Sequence, residues 1–203
     1  MPGINFQIKP VLEGTKVILR PFEPDDWEKM LILLADPEVR RLTGSVSSDE
    51  EAAMADSEKE VEAMKQWYQS RNQQADRLDL AIVEKSSGEL VGEAVFNHFD
   101  GTTPNVNFRI LIGANGRDRG LGTEAVALFI RYGFETLGLH RIELDVYSFN
   151  PRAEKVYRKN GFILEGIRRE SFIYNGEYID TKIFAMLKSD YERYRREHHA
   201  NCL

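Results

Sequence analysis

A single α/β (α+β) domain, with a mixed, mostly antiparallel sheet flanked by helices, is the fold class this sequence predicts. Three observations point to it. The chain has 203 residues, 42% of them apolar, which suits one compact core. Three β-rich runs follow one another between Leu78 and Ile112, separated only by short turns. Beyond them strands stand directly ahead of helices, the order that mixes parallel with antiparallel neighbours.

The first strong element is TKVILRPF, where Val17 and Leu19 alternate with Ile18 and Arg20 until Pro21 ends the run. EPDDWEKMLILLADPEV then reads as an amphipathic helix. Its acidic residues lead an apolar stripe at Trp27, Met30, Leu31 and Leu34, and Pro37 follows its end. SSDEEAAMADSEKEVEAMKQWYQSRN reads as one further helix, strongly acidic at its start, with Val61, Met64 and Trp67 or Tyr68 on a narrow apolar face. LDLAIVEKSSGELVGEAVFNHF doubles back at Ser86 to Gly88 into two strands, and NVNFRILIG adds a third after the turn DGTTPN.

TEAVALFIRYGFETLG places Ala125, Leu128, Phe129 and Tyr132 on one helical face. HRIELDVYSFN is a strand with Ile142, Leu144 and Val146 on one side. PRAEKVYRKNGF is a helix capped by Asn150, opened by Pro151 and stopped by Gly161. In RRESFIYNGEYIDTKIFAMLK, Asn175-Gly176 between two alternating runs predicts a hairpin. No repeat or linker divides the chain, so residues 1–203 form one domain. Its core runs from about residue 10 to 188, and 189–203 is expected as an exposed, frayed helical tail.

A formal net charge of -6 argues against a nucleic-acid partner, which would need a basic face. A cationic partner suits the chain better. The longest pure apolar run, Met30 to Ala35, cannot span a bilayer, and the N-terminus lacks a signal pattern, so a soluble cytoplasmic protein is expected. Cys202 has no partner for an internal disulfide and stands one place too late for a prenylation box. No cluster has metal-ligand spacing, and no metal is expected.

One stretch remains that none of this explains. GRDRGLGTEA crowds two arginines and three glycines into the seven positions Gly116–Gly122 and then turns into helix-forming residues. Small residues let successive backbone N–H groups converge, and a helix start adds free donors and partial positive charge, which suits a phosphate or pyrophosphate. Arg117 and Arg119 can add ion pairs. The spacing fits neither the P-loop nor the Gly-x-Gly-x-x-Gly dinucleotide loop.

With NPRAEKVYRKNGF one strand later, the run from about Gly88 to Leu187 resembles the GNAT superfamily of acetyl-CoA-dependent N-acetyltransferases. LRPFEPDDWEKM followed by DPEV resembles the N-terminus of its branch of ribosomal-protein N-terminal and spermidine acetyltransferases. The resemblance implies a V-shaped splay between two central strands, with a bulge in the first of them. It implies that acetyl-CoA, a cosubstrate, lies along Ile110, Leu111 and Ile112. Its pyrophosphate would sit on Arg117, Asp118, Arg119, Gly120, Leu121, Gly122 and Thr123, and its pantetheine amides on Asn150. Tyr157 falls where many members place a tyrosine beside the sulfur, so it would bind cofactor and serve as general acid.

The base stays open. Many relatives place a glutamate where this chain has Asn107, and a small residue where it has Arg109; Glu93 and Asp145 are the candidate carboxylates. His98 and His140, at strand ends, are weaker ones. The resemblance implies direct transfer to a primary amine, a protein N-terminal α-amine or a small molecule such as a polyamine or aminoglycoside. No acyl-enzyme is expected, because no cysteine lies near the site. The acidic segment 49–62 falls where relatives shape the acceptor site and could attract a cationic amine. A homodimer through the late strands is implied in the same way. The alternative is an acyl-CoA-binding sensor or regulatory protein that keeps the cradle without transferase activity.

Overall fold

In the computed structural model, which describes residues 4–199, the alternating runs assemble into one eight-stranded sheet. The strands are β1 (Leu12–Glu13), β2 (Val17–Arg20), β3 (Leu78–Glu84), β4 (Leu90–Asp100), β5 (Asn105–Ile112), β6 (Arg141–Tyr147), β7 (Ile163–Tyr174) and β8 (Glu177–Leu187). Their order is β1-β2-β3-β4-β5-β6-β8-β7, antiparallel except for the parallel pair β5–β6. The helices are α1 (Asp26–Leu34), α2 (Pro37–Thr43), α3 (Asp49–Ala52), α4 (Glu58–Ser70), α5 (Leu121–Arg131), α6 (Pro151–Lys159) and α7 (Lys188–His199). Cys202 lies outside the described residues.

Because side chains alternate across a strand, each face of the sheet gathers its own core. One face carries Leu80, Ala94, Phe96, Phe108 and Ile142, covered by α5 through Ala125 and Phe129. Phe96 and Phe129 stack with ring centroids 4.0 Å apart. Each fully buried phenylalanine is worth about 1.5–3 kcal/mol of apolar transfer, so this face is a rigid base. The other face carries Ala81, Leu90 and Leu111, covered by Met30 of α1 and Tyr68 of α4.

The segment 37–70 departs from expectation. Pro37 both follows α1 and opens α2, because Asp36 accepts from the Glu38 N–H as its cap. The acidic stretch forms two helices: α3 ends at Ala52, and Ser57 starts α4 with a capping box closed by Glu60. The tail also differs: α7 is anchored, with Tyr191 buried and stacked 4.9 Å from Phe134. The Asn175-Gly176 hairpin is as expected, with both residues at positive φ (49° and 79°).

The feature that positions the site is the splay. β5 and β6 pair only at Asn105↔Arg141, Val106↔Ile142 and Asn107↔Glu143. Beyond Asn107 the edge of β5 facing β6 carries no ladder. The expected bulge in β5 is absent: it stays in unbroken register with β4 from Asn107↔Asn97 to Ile112↔Gly92. The strands therefore part by divergence from a common start, with β6 drawn into its seven-residue pairing with β8.

Candidate active site

The open V forms the floor of a cleft of about 1160 Å³. At one end stands the glycine stretch. Gly120 has φ +81° and caps α5 from the left-handed region, a conformation glycine adopts without a steric penalty. No side chain caps α5, so its first N–H groups, at Leu121, Gly122 and Thr123, have no intrahelical acceptor. A Cβ on Gly122 would stand 3.3 Å from Ile112 Cγ1, so the loop and the strand end are packed closely enough that a side chain would crowd both. Free donors, a helix dipole and a floor without side chains fit a pyrophosphate.

The structure divides the loop residues. Arg117, Asp118, Gly120, Gly122 and Thr123 line the cleft, as do Ile110, Leu111 and Ile112. Leu121 and Arg119 are not among the lining residues. Leu121 is buried beneath the loop, and Arg119 is bound to Glu84, with a further bond to the Asn115 carbonyl at 3.1 Å. Arg117 is engaged as well. Its Nε donates to the Ile112 carbonyl at 3.1 Å and its Nη1 to Glu38 of α2, so it braces the end of the splayed strand against the N-terminal helices. The ion pairs expected from the two arginines are thus taken up within the protein.

Asn150 lines the opposite wall, where its Oδ1 accepts from the Ala153 N–H at 3.1 Å and caps α6. About two turns on, Tyr157 is buried among Phe108, Phe162 and Phe184 yet borders the cleft. Burial pushes its phenol well above the ordinary tyrosine range, with Arg109 opposing. Its hydroxyl therefore stays protonated at any working pH, and among the described residues nothing is hydrogen-bonded to it.

Glu93 enters from the other face of the sheet. It pairs with Leu111 across β4–β5, so its carboxylate lies on the α1/α4 side of the V. Desolvation, reinforced by the Asp79 charge, raises its carboxyl to about 7, while a hydrogen bond from Tyr68 pulls the other way. That bond runs from Tyr68 Oη to Glu93 Oε2 at 3.1 Å. Asp79 itself accepts a bidentate pair of hydrogen bonds from Arg77, both at 2.7 Å. Asp145, the other candidate, also lines the cleft, but its carboxylate is paired with Arg168. His98 lines the cleft at a positive φ of 51°, whereas His140 is exposed beyond it.

Three contributors escaped the sequence reading: Tyr68, the Arg77–Asp79 pair and Glu38. The only signal available was the apolar face of α4, which left Trp67 and Tyr68 undivided. The structure buries Tyr68 and leaves Trp67 48% exposed.

Fold and cleft together define a class of site, a groove open along a strand edge and ending on a glycine-built helix start. A family model described as an acetyltransferase (GNAT) domain matches residues 16–163, and the chain belongs to that family. A probable N-acetyltransferase of Bacillus subtilis, YjcK, is 28% identical over 185 residues, 90% of this chain and 100% of the relative. The spermidine N(1)-acetyltransferase of Vibrio cholerae is 31% identical over 110 residues, 54% of this chain and 64% of the relative. A crystal structure of spermidine N-acetyltransferase from Vibrio cholerae, in complex with CoA and spermine, aligns with a TM-score of 0.76 at 21% identity. It covers 88% of this chain and 99% of that one, a likeness of fold.

Proposed function

We propose that the protein transfers the acetyl group of acetyl-CoA directly to a primary amine, in a ternary complex, with Glu93 as general base and Tyr157 as general acid. The observation that carries this reading is their placement: they border one cleft from opposite faces of the sheet, beyond the point where β5 and β6 part.

The donor half is formed by the Gly120–Thr123 helix start, the unpaired edge of β5 and Asn150. In that position the loop N–H groups hold the pyrophosphate and the β5 edge pairs with the pantetheine amides. The thioester then lies in the V. Glu93, poised near 7, takes a proton from the acceptor ammonium, and the freed amine attacks the thioester carbonyl. Backbone N–H groups of β5 polarise the carbonyl oxygen. As the C–S bond breaks, Tyr157 gives its proton to the thiolate and is reprotonated by the second proton shed from the attacking nitrogen, while Glu93 returns its proton to solvent, so amide and thiol leave with protons balanced.

The magnitude of the base's task separates acceptors. Neutralising a lysine or polyamine amine of pKa about 10.4 costs roughly 4–5 kcal/mol at pH 7, an α-amine of pKa about 8 only about 1. A peptide N-terminus, a polyamine and an aminoglycoside all remain acceptors within this reading. Described helices include none long and apolar enough to cross a membrane, in keeping with a cytoplasmic enzyme. Exposed Ile163, Ile167 and Ile173 on the edge strand β7 support a homodimer through the late strands.

The test is thiol release from acetyl-CoA with a panel of spermidine, aminoglycosides, lysine and short peptides, with product masses checked. Acetylated product from one amine class establishes transfer. Acetyl-CoA binding with no turnover across the panel contradicts it and favours a sensor, which has no use for a carboxylate near 7 in the V.

A further inference from the structure

The acceptor side of the V carries charges that the transfer chemistry leaves unexplained. Glu93, Arg109, Glu143 and Asp145 project from the same face of β4, β5 and β6, as the registers Glu93↔Leu111, Arg109↔Val95 and Asn107↔Glu143 require. Two of the four are compensated by ion pairs. Arg141 donates to Glu143 at 2.9 Å, and Arg168 is paired with Asp145. The cleft arginines Arg117 and Arg152 likewise have acidic partners, in Glu38 and Asp118.

Arg109 is not paired: it lines the cleft and is exposed to it, yet among the described residues nothing ion-pairs or hydrogen-bonds with its guanidinium. Glu93 is its diagonal neighbour across β4–β5; no ion pair joins the two, although the Arg109 charge acts to lower the Glu93 carboxyl. A guanidinium offers five donors in a planar fork that matches a carboxylate. With Glu143 and Asp145 already paired, Arg109 is a cation open to the cleft beside Glu93, although the whole chain is acidic. A polycation would meet like charge beside the base, whereas an anion would meet an unused partner.

Building on the acetyl-transfer reading, we propose that Arg109 is a specificity residue that binds a carboxylate carried by the acceptor a few bonds from its reacting amine. The carboxylate can belong to a free amino acid or to an acidic residue at a peptide N-terminus. In either case the anion on Arg109 sets the amine beside Glu93, one diagonal step along the sheet.

Matched acceptors test this: alanine against alaninamide, and the C-terminally amidated dipeptide Asp-Ala against Asn-Ala, with spermidine as the polycation. For the wild-type protein, kcat/KM referred to the neutral-amine fraction of each acceptor should be at least tenfold higher for the carboxylate member than for its uncharged partner. The pair showing the gap names the source. Arg109→Gln should bring the ratio close to one, and Arg109→Lys should restore part of it. The ratio cancels any change in Glu93 ionisation, and the KM for acetyl-CoA should hold steady. Equal rates within both pairs, a preference for spermidine, or a ratio that survives Arg109→Gln overturns the proposal. Should no amine release thiol, calorimetry of the same pairs with the CoA-loaded protein decides separately. Carboxylate-selective binding lost in Arg109→Gln keeps the assignment while transfer falls; unselective binding ends both.

Discussion

The two halves of the cleft are built in different ways. The donor half is local: the end of β5, the glycine loop and the start of α5 are contiguous from Ile110 to Thr123, and Asn150 and Tyr157 follow on one short helix. The acceptor half is assembled from a distance. Glu93 is held by Tyr68, 25 residues earlier, and Asp145 by Arg168, 23 residues later. A local site keeps its geometry through backbone conformation, whereas an assembled one depends on tertiary contacts and can be retuned by changing any one of them. Donor binding and acceptor chemistry should therefore respond to different substitutions.

The largest separation is expected from Glu93→Gln. It should lower kcat by about 10²–10⁴ while the KM for acetyl-CoA stays near its wild-type value. The same variant should gain stability, with the sign set by linkage. A carboxyl at about 7 in the folded chain against 4.5 unfolded means the folded state holds its proton longer. Stability therefore falls as pH rises from 4.5 to 7, and above 7 the buried charge costs up to about 3 kcal/mol. Thermal melts should show Glu93→Gln above wild type at pH 8 and level with it at pH 4.

Tyr157→Phe comes next, lowering kcat at least tenfold with acetyl-CoA affinity nearly unchanged; unchanged kcat removes its general-acid role. On the donor side, Gly122→Val should raise the Kd for acetyl-CoA about tenfold, because a side chain crowds Ile112 and the anion cradle, an effect of the order a helix terminus exerts on an anion. The smallest effect is expected from Asp79→Asn. Removing its charge should lower the apparent pKa of the rising limb of the rate profile, since that charge pushes Glu93 upward.

The same contrast explains what the sequence could reveal. The glycine loop, the Asn150 cap and the Asn175-Gly176 turn are local backbone demands, and they stand where the residues said. The break between α3 and α4 was missed because helix propensity runs continuously through Ala53–Asp56; the Ser57 and Glu60 capping box prevails. α2 was missed because Pro37 was read only as a stop, although proline equally opens a helix behind an Asp36 cap. The partners of Arg117 and Arg119 were invisible, since Glu38 and Glu84 reach the loop only through the fold. The V itself came from family resemblance; no local residue pattern announces where β5 and β6 part.

The most direct test of the account is the pH dependence of kcat for acetyl transfer, in wild type and Glu93→Gln, at saturating acetyl-CoA and acceptor. The wild-type rate should rise with an apparent pKa near 7 and level off, and Glu93→Gln should lack that limb along with most of the rate. A variant that keeps both the limb and the rate would show that the proton leaves by another route and that Glu93 is not the base.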